Sequence, residues 1–89
     1  MIQQHYYLIT FDGTHVALKA ETVLKEMDIK VKLIPLPSVI AAGCGFAVKV
    51  LSSEKKAVEI LLEQSLFEWS NLYELVKVGN ETKVEQWNL

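Results

Sequence analysis

The chain has 89 residues, with 9 Lys plus Arg against 11 Asp plus Glu, 51% hydrophobic and 22% charged residues, and one Cys. That is enough chain for one compact domain spanning residues 1–89, and enough apolar content to exclude intrinsic disorder. A single Cys excludes an internal disulfide and a structural zinc cluster, and a net charge of -2 argues against nucleic acid as a partner.

Tyr6 to Phe11 is a β-branched and aromatic run ending at Asp12-Gly13, which predicts a strand and then a turn. Val16, Ala20, Val23, Leu24 and Met27 follow at helical spacing, with Lys19, Glu21, Lys25 and Glu26 on the opposite face. Asp12 or Thr14 is the expected cap of that helix, and Asp28 closes it. Val31 to Leu36 predicts a second strand that halts at Pro35 and Pro37.

Residues Ser38 to Gly45 are apolar but small, and predict a tight loop with one helical turn capped by Ser38. Phe46 to Leu51 is apolar at nearly every position, the pattern of a central strand. Ser52 and Ser53 offer caps for a second helix, with Val58, Leu61, Leu62 and Ser65 on its inner face. Leu72 to Val78 predicts a further strand. Gly79-Asn80 then signals a turn, so residues 79–89 form an extension in which Thr82 to Trp87 folds back as an extra hairpin strand.

The expected fold is therefore α+β, a ferredoxin-like βαββαβ sandwich with an antiparallel sheet, two helices on one face and an extra C-terminal strand. Right-handed crossovers place the third strand between the first and second, antiparallel to both. This order predicts that Cys44 sits beside the turn Phe11-Asp12-Gly13-Thr14-His15, at the N-terminus of the first helix. Trp69 and Asn71, ahead of the fourth main strand, should approach the same rim.

Cys44 is the residue with chemistry to offer. Gly43 and Gly45 flank it and let a partner approach closely. A helix N-terminus favours a thiolate, and lowering a thiol pKa from about 8.5 to about 6.5 raises the thiolate fraction at pH 7 from roughly 3% to roughly 75%. His15 would add a base or a positive charge. Against this stands the commonest role of a lone Cys, a small buried hydrophobe. The absence of a second Cys disfavours a thioredoxin-type reductase; a carrier handing its load to a partner needs one thiol.

His5, Asp12, His15 and Cys44 match no compact ligand spacing, so no metal site and no cofactor are expected. Trp69 and Trp87 are expected in the core or on the sheet face. Glu54, Lys55, Lys56 and Glu74 are expected in solvent. The N-terminus carries no basic segment followed by an apolar one, and no apolar run reaches the ~20 residues of a membrane helix. The expected location is the cytoplasm, with no membrane partner.

Ile9-Thr10-Phe11-Asp12-Gly13-Thr14-His15, followed by Ala17-Leu18-Lys19-Ala20-Glu21, resembles the opening of the selenium/sulfur carrier-like family of small bacterial proteins. So does Lys32-Leu33-Ile34-Pro35-Leu36-Pro37 leading into Cys44-Gly45, and the likeness spans roughly residues 5 to 78. The resemblance implies a ferredoxin-like fold and sulfur or selenium carried on Cys44. The expected topology sets Asp12, Gly13, Thr14 and His15, together with the flanking Gly43 and Gly45, around a persulfide or perselenide bound there. A carrier of this kind is a non-catalytic group carrier whose partners are a sulfur or selenium donor protein and an acceptor protein; a homodimer is a separate expectation, not one the resemblance supplies. The chain departs from the family at Ala41-Ala42-Gly43, where Ser or Thr is expected, and continues past Val78. The competing expectations are a regulatory domain that binds a small ligand, and an interaction module pairing through an edge strand or the C-terminal hairpin.

Overall fold

The computed structural model describes residues 2–38, 40 and 45–89, with side chains from Gln4 onward. In chain order its elements are β1 (Ile2–Thr10), α1 (Thr14–Glu26), β2 (Val31–Pro35), β3 (Phe46–Leu51), α2 (Lys55–Glu63), β4 (Asn71–Val78) and β5 (Glu81–Gln86). A single 3-10 turn, Ser52–Glu54, joins β3 to α2. The architecture is α+β, with a five-stranded sheet in the order β2-β3-β1-β4-β5 and every neighbouring pair antiparallel. β3 lies between β1 and β2 and antiparallel to both, where right-handed crossovers put it.

Alternation along the strands sorts the core into two layers. Tyr7 and Ile9 of β1, Val48 and Val50 of β3 and Leu72 of β4 pack with Ala17, Ala20 and Leu24 of α1 and Val58, Leu61 and Leu62 of α2. Both helices therefore cover one face. On the other face Leu8, Ala47 and Leu75 form a smaller cluster, closed over by Ile40 and flanked by Tyr6, Ile34, Leu36, Tyr73 and Val84. Leu8 and Leu75 are fully buried although no helix of the described residues stands above them. Ile40 reaches that cluster from the connection between β2 and β3, where its N–H bonds the Pro37 carbonyl at 3.0 Å.

Local signals account for the helix ends only in part. Gly13, not Asp12 or Thr14, is the N-cap of α1; its backbone is extended and no side chain accepts a capping bond. At the other end Asp28 takes the left-handed conformation (φ 61) usual for glycine, and the Ile29 N–H returns to the Leu24 carbonyl at 3.0 Å. Ile29 is buried just beyond, which makes this a hydrophobically anchored stop. Met27, expected on the inner face, is half exposed because that stop turns the chain before it can pack.

Ser52 and Ser53 do not cap α2; they form the 3-10 turn, and Glu54 stands at the N-cap without a side-chain bond. Ser65 lies two residues past the end of α2, with φ 55, and so has no place on the inner face. The predicted C-terminal strand is present as β5, paired to β4 across the turn at Gly79-Asn80.

The helix-free face is a real part of the core, which a cavity mutation tests. Leu75→Ala should lower the unfolding free energy in urea by about 2–5 kcal/mol, the cost of an emptied leucine site. Ile60→Ala, at an exposed position of α2, should stay within about 0.5 kcal/mol. Equal effects would show that the second cluster contributes nothing beyond a surface.

Candidate functional site

The described residues of the site expected from sequence lie where β1 ends and β3 begins. Thr10 pairs with Ala47 across β1 and β3 and with Asn71 across β1 and β4, so three strands meet at this end. Thr10 holds the meeting together. Its carbonyl accepts from the Ser70 N–H at 2.7 Å, and its Oγ1 accepts from the Asn71 N–H at 3.1 Å. The next residue, Phe11, is fully buried, with its ring 6.5 Å from that of Phe67. The turn Asp12-Gly13 thus leaves the sheet from a rigid base. As expected, Asn71 reaches this rim.

Asp12, Thr14 and His15 are exposed around the N-terminus of α1. The His15 ring folds back over Gly13, so that a Cβ at Gly13 would stand 3.1 Å from its Cε1. The close approach is to a side-chain ring and not to backbone, and the φ of -145 at Gly13 is open to any residue. His15 also lines a cavity of about 330 Å³ with Lys19, Ser65, Phe67 and Glu68, between α1 and the segment after α2. Trp69, expected in the core or on the sheet face, is partly exposed and borders a second cavity with Asn71, Gln86 and Trp87. Trp87 is buried as expected.

Gly45 opens the approach to β3 with φ 87, in the left-handed region, and a Cβ there would meet no atom within 4 Å. Its carbonyl accepts the Leu36 N–H at 2.8 Å, so the connection between β2 and β3 departs and returns at one point. Gly45 is two residues before Ala47 and Asp12 is two residues after Thr10; both leave the sheet at the same end. Gly43 and Cys44 lie outside the described residues, as does most of the loop expected to hold them. Of the residues assigned to the site, the structure brings Asp12, Gly13, Thr14 and His15 together at the helix start and sets Gly45 at the neighbouring strand end.

A polar cluster that sequence reasoning missed sits on the helix-covered face. Tyr7 and Glu74 are directly opposed across β1 and β4, with His5 one step along the same face of β1. His5 Nε2 is 2.6 Å from Glu74 Oε2, and the Tyr7 hydroxyl donates to the same oxygen at 3.2 Å. Glu74, expected in solvent, is therefore half-buried and bonded. The hydrogen bond from His5 lowers its pKa, against the opposing effect of burial, with Tyr7 and Lys55 adding to the lowering. Burial, and then the Glu74 carboxylate, raises the Tyr7 pKa. The Tyr7 ring packs 5.0 Å from that of Trp87, whose Nε1 donates to Glu59 at 2.8 Å, and Lys55 pairs with Glu59 at 3.8 Å. No local pattern announces this cluster; it needs the register of β1 on β4. His5 lies at the far end of β1 from Asp12 and His15, and no three His, Cys, Asp or Glu side chains gather as metal ligands among the described residues.

The geometry thus defines an α+β domain whose β2–β3 connection is pinned at both ends and carries a cysteine between two glycines. The family model described as putative Se/S carrier protein-like matches residues 6–74, and the chain belongs to that family. Neither a curated protein nor a solved structure matches it.

Two measurements test these contacts. Because its pKa is lowered in the folded state, Glu74 contributes stability that is full above the unfolded value of 4.5 and lost as pH falls through the lower folded value. Glu74→Gln should therefore lower the urea midpoint at pH 7 and flatten its decline between about pH 5 and pH 3; parallel curves for the two proteins would contradict this. Separately, Gly45→Ala should cost about 1–2 kcal/mol through backbone conformation alone, with Gly45→Asn recovering part of it because Asn tolerates the left-handed region. An unchanged midpoint for Gly45→Ala would contradict that assignment.

Proposed function

We propose that the protein carries sulfur or selenium as a persulfide or perselenide on Cys44, receiving it from a donor protein and passing it to an acceptor. The observation that carries this reading is the family match over residues 6–74, a span that includes Cys44 and both glycines beside it. The pinned connection supports it. Leu36 and Gly45 clamp its ends, and Ile40 is buried against the helix-free face of the sheet.

The chemistry needs one thiol and no redox partner. The Cys44 thiolate attacks the sulfane sulfur of a donor persulfide; a new S–S bond forms as the donor's breaks, and the donor leaves as a thiolate. An acceptor thiolate then removes the same sulfur by the same exchange, restoring the Cys44 thiolate. Each step conserves electrons. Gly43 and Gly45 would leave room for the incoming sulfur, while Asp12, Gly13, Thr14 and His15 would border it. On this reading the unpaired N–H groups at the start of α1 would favour the thiolate over the thiol.

In this reading residues 1–89 act as one domain in the cytoplasm. Among the described residues no helix is long and apolar enough to cross a membrane. On the same reading the β1–β4 portion is taken as ferredoxin-like, with β5 an addition at the β4 edge; the two helices on one face and the strand order β2-β3-β1-β4 support it.

The test is intact-mass spectrometry after incubation with a sulfur-loaded cysteine desulfurase. The native chain should gain one sulfur atom that dithiothreitol removes, and Cys44→Ser should gain none. No adduct on the native chain, or the same adduct on Cys44→Ser, overturns the proposal.

A further inference from the structure

The two edges of the sheet are built differently. At β2 the outward Leu33 N–H is taken by the Glu21 carboxylate at 3.1 Å, and Pro35 has no N–H to offer. That edge is closed to a further strand. At β5 the opposite holds. The two-residue turn makes Val78 and Glu81 a mutually hydrogen-bonded pair, and alternation then directs the N–H groups of Glu81, Lys83 and Glu85 toward β4. The Trp87 N–H follows the same phase, bonding the Leu72 carbonyl at 3.1 Å. The N–H and C=O groups of Thr82, Val84 and Gln86 consequently face outward, and no partner meets them among the described residues.

The side chains of β5 carry a second signal. Glu85 stands directly opposite Glu74 across β4 and β5, an unfavourable like-charge pair. Glu74 is engaged by His5 and Tyr7, but Glu85 has no basic partner among the described residues, and neither does Lys83 an acidic one. Both are exposed on the same side of the strand.

We infer that β5 pairs with β5 of a second copy of this chain, antiparallel about a two-fold axis through Val84, joining two sheets into one. Of the registers open to a symmetric pair, this one sets Val84 opposite itself and Thr82 opposite Gln86. All three are outward-facing residues, so each opposed pair exchanges two backbone hydrogen bonds. The same register sets Lys83 opposite Glu85 twice, by symmetry, and supplies the positive charge that Glu85 lacks. Sliding by two residues to centre the axis on Lys83 would instead oppose Lys83 to itself and Glu81 to Glu85, so charge selects against it. Val84 is partly buried against the cluster on the helix-free face, so the pairing also extends that apolar surface across the axis. Nothing in this inference depends on Cys44.

Sedimentation velocity over micromolar to millimolar concentrations tests it. The native chain should show a concentration-dependent dimer. Lys83→Glu and Glu85→Lys should each weaken it by about tenfold or more, since each converts two attractive contacts into two repulsive ones. The double variant Lys83→Glu/Glu85→Lys should restore it. Glu85→Lys also replaces a like-charge pair with an attractive one against Glu74, so its urea midpoint should not fall, and loss of dimer there reports the interface rather than unfolding. Val84→Pro, which removes the central outward N–H, should abolish the dimer. A monomer throughout the concentration range, or a dimer equally strong in Lys83→Glu and Glu85→Lys, overturns the inference.

Discussion

β1 is paired on both sides, to β3 through Tyr6–Thr10 and to β4 along its length from Ile2 to Thr10. It is also buried on both faces, with Tyr7 and Ile9 under the helices and Leu8 under Ile40. That double constraint fixes everything else. Both crossovers must pass over the same face to bring β2 and β4 to their places, and the other face must be closed by connections rather than helices. Ile40, in the β2–β3 connection, supplies part of that closing by packing over Leu8, Ala47 and Leu75.

Constraint at the end of β1 also shapes the rim. Thr10 has both its carbonyl and its hydroxyl engaged by the backbone entering β4, and Phe11 is the largest fully buried side chain. A strand end held this tightly gives α1 a fixed starting point, and with it a fixed direction for its unpaired N–H groups. Electrostatic activation of a nearby thiol depends on that direction, since the effect falls off within the first turn.

The elements were legible in the sequence wherever a period or a punctuating residue spoke for itself. The β-branched and aromatic run of β1, the apolar run of β3, the helical spacing of α1 and the Gly79-Asn80 turn each depend on neighbours a few residues away. The caps were not legible. Asp12, Thr14, Ser52 and Ser53 all have the right chemistry, yet the chain enters α1 through Gly13 under the His15 ring and enters α2 through a 3-10 turn. Which residue caps is decided by how the strand end is anchored, and that is tertiary. The His5–Glu74 contact was hidden for the same reason: 69 residues separate the partners, and only the register of β1 on β4 makes them neighbours. Around the expected site, the ends of β1 and β3 follow from local pattern, while the β1–β4 polar cluster becomes visible only through strand pairing.

The sheet order bears on how a carrier would meet its partners. β5 is separated from β3 by β4 and β1, three strand spacings or about 14 Å. The ends of the cysteine-bearing connection, Leu36 and Gly45, adjoin β2 and β3 on the other side of the sheet. Pairing through β5 therefore uses the edge remote from the two ends of that connection. The closed edge at β2 completes the logic. Glu21 and Pro35 keep a second strand from adding beside the connection, so a donor or acceptor approaching it would have to recognise the loop and the start of α1 rather than extend the sheet.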